Sequence, residues 1–217
     1  MLELQIKRIK RCEHIDRLVV ATSTDSEDRM IVDLCKRLDA DFFTSDLENV
    51  LDRMYQAVKR YNPDCIIRLT GDCPLTDPEL IDDLITFFHT QNCDYMNNTL
   101  PPRLPVGLDA EVFTFSALRQ AWREADDPRE LEHVTLFITR HPEKFDIHGY
   151  PYSRDLSFLR WTVDEPEDFV FVKEIYETLY TQNPDFSMSD ILELLRKRPE
   201  LVEINNMPKR NSRTIRN

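Results

Sequence analysis

The stretch that decides the fold is Arg68-Leu-Thr-Gly-Asp-Cys-Pro-Leu-Thr-Asp-Pro-Glu79. It follows a short apolar run at 65–69, turns at a glycine, places Asp72 just beyond the turn and resumes after Asp77-Pro78. This pattern predicts a buried strand, a tight turn and then a helix. Open α/β sheets bind ligands at this end of a strand, beside a helix N-terminus. We therefore predict that Asp72 lies at a ligand site.

Apolar runs and amphipathic stretches alternate on the N-terminal side of this segment. The runs at 17–22 and 41–44 are typical of parallel strands covered on both faces, and helical periodicity follows each of them. An amphipathic helix also precedes the first run, with Leu2, Ile6 and Ile9 on one face. The short connections imply right-handed crossovers and an α/β fold with one mainly parallel sheet in three layers.

Beyond residue 90 the pattern changes, because a proline-rich segment at 97–107 is too long for a plain connector. Such a loop is a candidate substrate lid. The elements expected after it are strand 108–115, helices 116–125 and 130–140, strands 145–148 and 158–163, a long helix from about 166, a helix at 189–197 and a basic, frayed tail. Trp122 and Trp161 are expected in the core. We expect residues 1–217 to form a single domain, since this length suits one sizeable core.

Composition excludes several function classes. Of the 217 residues, 41% are apolar and 31% are charged, and the net charge is −12. This acidity argues against nucleic acid or an anionic membrane as the main partner. The five cysteines form no C-x-x-C pair, which argues against a zinc site and favours buried thiols. The N-terminus lacks the pattern of a signal peptide, so we expect a cytoplasmic protein.

Two acidic residues follow predicted strands in similar settings. Asp72 follows the strand at 64–69, and Asp164 follows the strand at 158–163. Because the ends of parallel strands share one edge, both carboxylates could converge on Mg²⁺, which binds through one or two carboxylates and substrate phosphates. Aspartate is also favoured in turns and at helix N-caps. The residues alone leave the metal-site and structural interpretations open.

Four segments carry a resemblance to a known family: 68–83 with RLTGDCPLTDPELIDD, 107–119 with GLDAEVFTFSALR, 132–135 with EHVT and 159–169 with LRWTVDEPEDF. In order and spacing they resemble the cytidylyltransferases typified by spore coat polysaccharide biosynthesis protein F. That family is similar to the acylneuraminate and 3-deoxy-manno-octulosonate cytidylyltransferases, which activate acidic sugars as CMP-sugars. The resemblance covers essentially the whole chain. It implies a Rossmann-like nucleotide-diphospho-sugar transferase fold of three layers, α/β/α.

The resemblance also assigns site residues. Asp72 and Asp164 match the family's metal-binding and catalytic aspartates. The residues assigned to the nucleotide, with CTP as the expected substrate, are Thr22, Ser23, Ser45 and Arg68. The residues assigned to the sugar side of the cleft are Asp109, Glu111, Glu132, His133 and Arg160. From the residues alone, Arg160 could equally form a structural ion pair, and His133 is more typical of an exposed or helix-packing histidine than of a catalytic base.

The N-terminus departs from the family pattern, whose members open with an apolar strand, a loop of the type GSxRLPGK and a segment like PLLEWQIERLKR. Residues 1–11 align with the last of these, and no glycine occurs in residues 1–70. We therefore expect the first strand and the phosphate-binding loop to be missing, so that this chain is a poor catalyst as written. An unpaired sheet edge would also favour a homodimer.

Three functions remain open at this level. The first is transfer of CMP from CTP to an acidic or aminated sugar in surface polysaccharide or spore coat biosynthesis, with Mg²⁺. The second is a catalytically impaired remnant or sugar-binding subunit that keeps the fold. The third is a glycosyltransferase of the same fold that consumes a nucleotide-sugar.

Overall fold

The structure is a computed structural model that describes residues 1–205. The expected basic tail therefore lies outside the described residues. The helices are α1 (Leu2–Ile9), α2 (Arg29–Arg37), α3 (Val50–Lys59), α4 (Pro78–Gln91), α5 (Phe115–Glu124), α6 (Pro128–Glu132), α7 (Leu136–Arg140), α8 (Pro166–Leu179) and α9 (Met188–Lys197). The strands are β1 (Val19–Ser23), β2 (Asp41–Ser45), β3 (Cys65–Arg68), β4 (Tyr95–Asn97), β5 (Glu111–Thr114) and β6 (Ile147–Gly149). Short 3₁₀ turns span Ser26–Asp28 and Pro199–Ile204. None of the described helices is long and apolar enough to cross a membrane.

The strands form two sheets. β1 and β2 pair in parallel, and the other sheet has the order β3-β5-β4-β6. β5 runs antiparallel to both of its neighbours, whereas β6 runs parallel to β4. It follows that β3, β4 and β6 all point in one direction, and only β5 opposes them. This confirms the α/β class with mainly parallel strands.

The expected single sheet is divided between β1 and β3, because β1 pairs only with β2 and β3 pairs only with β5 within the described residues. The covering helices nevertheless join the two sheets. α1 packs Ile6 against the β1–β2 side and Ile9 against the β3 side, while α3 contacts both β1 and β2 and places Leu51 in the cluster around Ile66. The two sheets therefore share the same covering helices although no ladder connects them.

Helix α4 is positioned by its N-cap. Asp77 accepts the backbone N–H of Leu80 at 3.1 Å, and Pro78 occupies the first turn, where its missing N–H removes no helical bond. The other carboxylate oxygen of Asp77 accepts the backbone N–H of Met188 at 2.5 Å, which ties the start of α9 to the same point. The helix ends at Asn92 in the left-handed conformation. These contacts fix the turn that carries Asp72.

The predicted strand at 158–163 is wrong. Only Arg160 forms a β-bridge there, to Val106, and the N–H groups of Trp161 and Thr162 both donate to the Val106 carbonyl. Gly107 makes this approach possible, because a Cβ at that position would lie 2.3 Å from the backbone nitrogen of Thr162. The alternation of apolar residues that suggested a strand instead reflects a single extended segment packed on the core.

Two other predicted elements are shorter than expected. The helix expected at 130–140 is broken between α6 and α7. The strand expected at 108–115 begins only at Glu111, because the Asn98 side chain bonds the carbonyl of Leu108 and the N–H of Ala110 in place of a neighbouring strand.

Both tryptophans pack against the core. Trp161 is fully buried, as predicted, and its indole N–H has no hydrogen-bond partner among the described residues. Trp122 is half-buried, stacks on Tyr55 with ring centroids 4.2 Å apart, and donates its indole N–H to Asp52 at 2.8 Å. The two residues belong to different apolar clusters.

Candidate active site

The turn after β3 presents the half-buried carboxylate of Asp72. This carboxylate accepts hydrogen bonds from the Thr162 hydroxyl at 3.3 Å and from the Cys73 thiol at 3.4 Å. The backbone carbonyl of Asp72 accepts the N–H of Val163 at 2.9 Å. Helix α1 secures the turn from the other side, since Gln5 donates to the Thr70 carbonyl at 2.7 Å. The segment before Asp164 is thus bound directly to the turn that carries Asp72.

The segment 160–164 carries two side-chain contacts of the candidate site. Thr162 reaches the Asp72 carboxylate, and the Arg160 guanidinium reaches Asp164 at 2.5 Å. Asp164 follows, by one residue, the Val163 N–H that binds the Asp72 carbonyl. This contact joins two loops and not two parallel strand ends.

Arg160 forms ion pairs, as one of the two interpretations of this residue predicted. Besides Asp164, it donates to Asp168 from Nε at 2.9 Å and from Nη2 at 2.8 Å. Asp168 also accepts the backbone N–H groups of Asp164 and Glu165 and the amide of Asn205. Burial raises the pKa of Asp168, but the bonds from Arg160 and from the two backbone N–H groups outweigh burial, so the pKa is lowered.

Glu111 is the centre of a second polar cluster, at the carboxyl ends of β3 and β4. Its carboxylate accepts from Arg68 at 2.5 Å and from the hydroxyls of Tyr95 and Thr135, each at 2.6 Å. The amide of Asn97 donates to the Tyr95 hydroxyl at 3.1 Å. Burial, followed by the charge of Glu111, raises the pKa of Tyr95, which keeps this phenol a hydrogen-bond donor. Arg68 and Glu111, assigned to different substrates, thus bind each other.

The remaining residues assigned to the sugar are all exposed. Glu132 and His133 are exposed at the break between α6 and α7, shortly before Thr135. Asp109 is exposed and precedes β5. Burial raises the pKa of the Cys73 thiol to about 12, and the charges of Asp72 and Asp109 add to this shift.

The residues assigned to the nucleotide base lie at the carboxyl end of the β1–β2 sheet. Ser23 and Ser45 are paired in the ladder, and the N–H of Thr24 donates to the Ser45 carbonyl at 2.9 Å. Asp28 accepts the Thr22 hydroxyl at 2.7 Å and the Ser23 N–H at 2.9 Å, and the Thr22 hydrogen bond is the main cause of its lowered pKa. The structure brings Thr22, Ser23 and Ser45 together, but on the other sheet from Asp72 and Arg68.

Sequence reasoning missed several residues that hold the site, namely Tyr95, Asn97, Thr135, Thr162, Asp168 and Asn205. Only Asp168 carried a local sequence signal. It lies three positions after Glu165, in the first turn of a helix that begins at a proline, and this is the spacing of a capping box. The structure contains that capping box. The others carry no such motif, and most of their partners are distant in sequence.

Comparisons with known proteins identify the family. The family described as cytidylyltransferase matches residues 1–206. The chain belongs to the cytidylyltransferase family. The spore coat polysaccharide biosynthesis protein SpsF of Bacillus subtilis is 31% identical to this cytidylyltransferase over 207 residues, which are 92% of this chain and 85% of SpsF.

Two further relatives extend this comparison. An uncharacterized protein of Methanocaldococcus jannaschii is 35% identical to this cytidylyltransferase over 214 residues, which are 98% of the chain and 86% of that protein. The solved structure of a cytidylyltransferase from Leptospira borgpetersenii matches with a TM-score of 0.88 at 29% identity, covering 95% of this chain and 87% of that one. The predicted family and Rossmann-like nucleotidyltransferase fold are confirmed.

Proposed function

We propose that this cytidylyltransferase transfers CMP from CTP to a sugar, in the cytoplasm, for the biosynthesis of a surface polysaccharide such as that of a spore coat. The observation that carries the proposal is the contact between the Asp72 turn and the segment that ends at Asp164: the Thr162 hydroxyl donates to the Asp72 carboxylate, and the Val163 N–H donates to the Asp72 carbonyl. The family match and the name of SpsF support the reaction and the pathway class. The free thiols of the five cysteines support a reducing compartment.

The donor set at this point fits Mg²⁺. Asp72 and Asp164 offer carboxylate oxygens, which are the ligands that Mg²⁺ prefers. Within residues 1–205, no group of three or more His, Cys, Asp or Glu side chains is arranged to hold a metal. The remaining ligands would therefore be water and phosphate oxygens of the substrate. When bound, Mg²⁺ would neutralise negative charge on the phosphates of CTP.

The chain's own residues would bind and orient the two substrates. The strand ends at Thr22, Ser23 and Ser45 would contact the cytosine, and the polar cluster around Glu111 would lie beside the sugar. A hydroxyl oxygen of the sugar would form a bond to the α-phosphorus while the bond to the β-phosphate oxygen breaks. Pyrophosphate leaves, and the hydroxyl proton passes to solvent.

A second candidate function is a non-catalytic, sugar-binding subunit. It is favoured by one sequence fact: the only glycines are Gly71, Gly107 and Gly149, so residues 1–70 contain no glycine-rich loop whose backbone N–H groups could hold the phosphates. Gly107 and Gly149 pack tightly against backbone at Thr162 and Leu100, and do not form such a loop either.

Pyrophosphate release separates the two functions. The 217-residue chain, and a version extended at its N-terminus by an apolar strand and a loop of the type GSxRLPGK, would be incubated with each nucleoside triphosphate, Mg²⁺ and a panel of acidic and amino sugars. We expect CTP-dependent release that Asp72→Asn abolishes. Absence of release from both versions, together with retained sugar binding by calorimetry, would favour the subunit.

A further inference from the structure

Arg160 is shared between two carboxylates of very different exposure. Its Nη2 lies 2.5 Å from Asp164 and 2.8 Å from Asp168, and its Nε lies 2.9 Å from Asp168. The Asp168 side chain is 2% exposed, whereas that of Asp164 is 52% exposed. Arg160 is therefore held bidentately by a buried partner and by a single contact to an exposed one.

The Arg160–Asp168 pair is fixed independently of Asp164. Asp168 is also bonded by Asn205 and by the backbone N–H groups of residues 164 and 165, and Asn205 donates to the Arg160 carbonyl at 2.9 Å. Breaking this pair would leave a buried carboxylate without its counter-ion, which is strongly unfavourable. The exposed contact to Asp164 can be broken without that cost, because water can replace Arg160 there.

We propose that Arg160 is a resident counter-ion of Asp164 that competes with the divalent cation for this carboxylate. Cation binding replaces the Arg160–Asp164 contact, while the Arg160–Asp168 pair stays in place. Arg160 is thus a positioning residue that sets the affinity of the metal site, and it is not a ligand of the sugar. This inference rests on the proposed function, through its assignment of a cation to Asp72 and Asp164.

Two substitutions should change the competition between Arg160 and the cation for Asp164 in opposite directions. In Arg160→Lys, one ammonium group cannot span both carboxylates as the guanidinium does, so it pairs with buried Asp168 and releases Asp164. In Asp168→Asn, the guanidinium loses its charged buried partner and pairs more strongly with Asp164. A purely structural role would make both substitutions weaken the site, since both loosen the same cluster.

The experiment is a calorimetric titration of the full 217-residue chain with Mn²⁺ alone, which measures the dissociation constant of the metal. We expect Arg160→Lys to tighten Mn²⁺ binding roughly tenfold and Asp168→Asn to weaken it by a similar factor, as changes in one nearby charge contact allow. Arg103→Lys is the matched control, because Arg103 pairs with Asp155 at 3.6 Å, away from this cluster. The control should leave the dissociation constant unchanged, and thermal melts would verify that each variant is folded.

Asp72→Asn separates failure of this inference from failure of the proposed function. Binding of Mn²⁺ that is unaffected by Asp72→Asn would refute the metal assignment itself. Binding that depends on Asp72, yet weakens or stays the same in both cluster variants, would overturn only the role of Arg160. Absence of Mn²⁺ binding in the wild type and in Arg160→Lys would overturn both.

A second measurement on the wild type covers the case in which a variant does not fold. In a ¹⁵N-labelled sample, addition of Mg²⁺ should leave the Nε–H resonance of Arg160 protected, because Asp168 still holds it. The Nη2 proton that bonds Asp164 should exchange faster, because it loses that partner while Nη2 keeps its bond to Asp168. Unchanged exchange at Nη2 with the metal bound would contradict the proposal.

Discussion

At the scale of single residues, Glu111 was assigned to the sugar from the sequence, but its carboxylate binds other side chains of the protein. Its carboxylate accepts three hydrogen bonds from protein side chains: one from Arg68 and two from the hydroxyl groups of Tyr95 and Thr135. Its side chain is only 18% exposed. The charge of Glu111 is therefore committed to Arg68, and what the cluster offers a ligand is a set of oriented polar groups.

Replacing Glu111 by glutamine should lower stability. The amide would place N–H donors against the donors of Tyr95 or Thr135 and would leave Arg68 without its anion, at a cost of about 2 kcal/mol. Urea denaturation would measure the loss. The control is Glu132→Gln, at an exposed position nearby, which should change the free energy of unfolding by less than about 0.5 kcal/mol. Equal effects of the two substitutions would contradict the central role of Glu111.

Asp168 makes stability depend on acid pH. Because its pKa is lowered from the usual 3.8, the stabilisation by the charged form is fully present above about pH 4 and is lost as pH falls through the lowered value. The difference in free energy of unfolding between the wild type and Asp168→Asn should therefore shrink as pH falls below 4. Denaturation curves at several pH values would test this, and a constant difference would exclude the linkage.

At the scale of elements, the site depends on the close approach of two loops at Gly107. This residue has a φ of +105° and leaves no room for a Cβ beside Thr162. Gly107→Ala should cost about 3 kcal/mol through strain and overpacking, and should displace the 160–164 segment from Asp72. Its Mn²⁺ affinity should fall together with its melting temperature.

The matched control for this prediction is Gly71→Ala. Gly71 lies next to Asp72 in the sequence, but an added Cβ would meet only the Leu2 side chain, at 4.0 Å. This substitution should be tolerated. If both alanine variants melt and bind alike, the close approach at Gly107 is not what holds the site together.

Elements with strong local signals were predictable from the sequence. The apolar run before Gly71 and the Asp77-Pro78 start located β3 and α4 because strand, turn and cap are all encoded within a few neighbouring residues. The segment 158–163 was not, since alternating apolar residues fit both a strand and an extended core segment. The Arg160–Asp168 pair and the Glu111 cluster depend on partners that only the tertiary fold brings together.

At the scale of the whole molecule, the division between β1 and β3 should make the two sheets differ in local stability. β5 is hydrogen-bonded on both sides, whereas β1 and β3 each have one unpaired edge within the described residues. The unpaired edges are also the surfaces through which a homodimer would associate. Light scattering over a range of protein concentrations would detect such a dimer.

Hydrogen exchange would reveal the difference in local stability between the two sheets. Amides of β5 should exchange slowest, and those of β1 and β2 should exchange faster, because a two-stranded ladder opens by breaking fewer hydrogen bonds than a four-stranded one. Exchange followed by mass spectrometry resolves peptides from each sheet. Equal protection of β1 and β5 would show that the covering helices, and not the ladders, control local opening.

The placement of the two tryptophans also gives the molecule a pair of built-in optical reporters. The indole of Trp161 is buried, has no hydrogen-bond partner within residues 1–205 and is adjacent in sequence to Arg160. Its emission should therefore lie toward the blue and respond to charge movement in that ion-pair cluster. Trp122 is stacked on Tyr55 and bonded to Asp52, on the helix that contacts β1 and β2. Substituting each in turn by phenylalanine would leave one spectroscopic signal for the loops of the site and another for the α3–α5 layer.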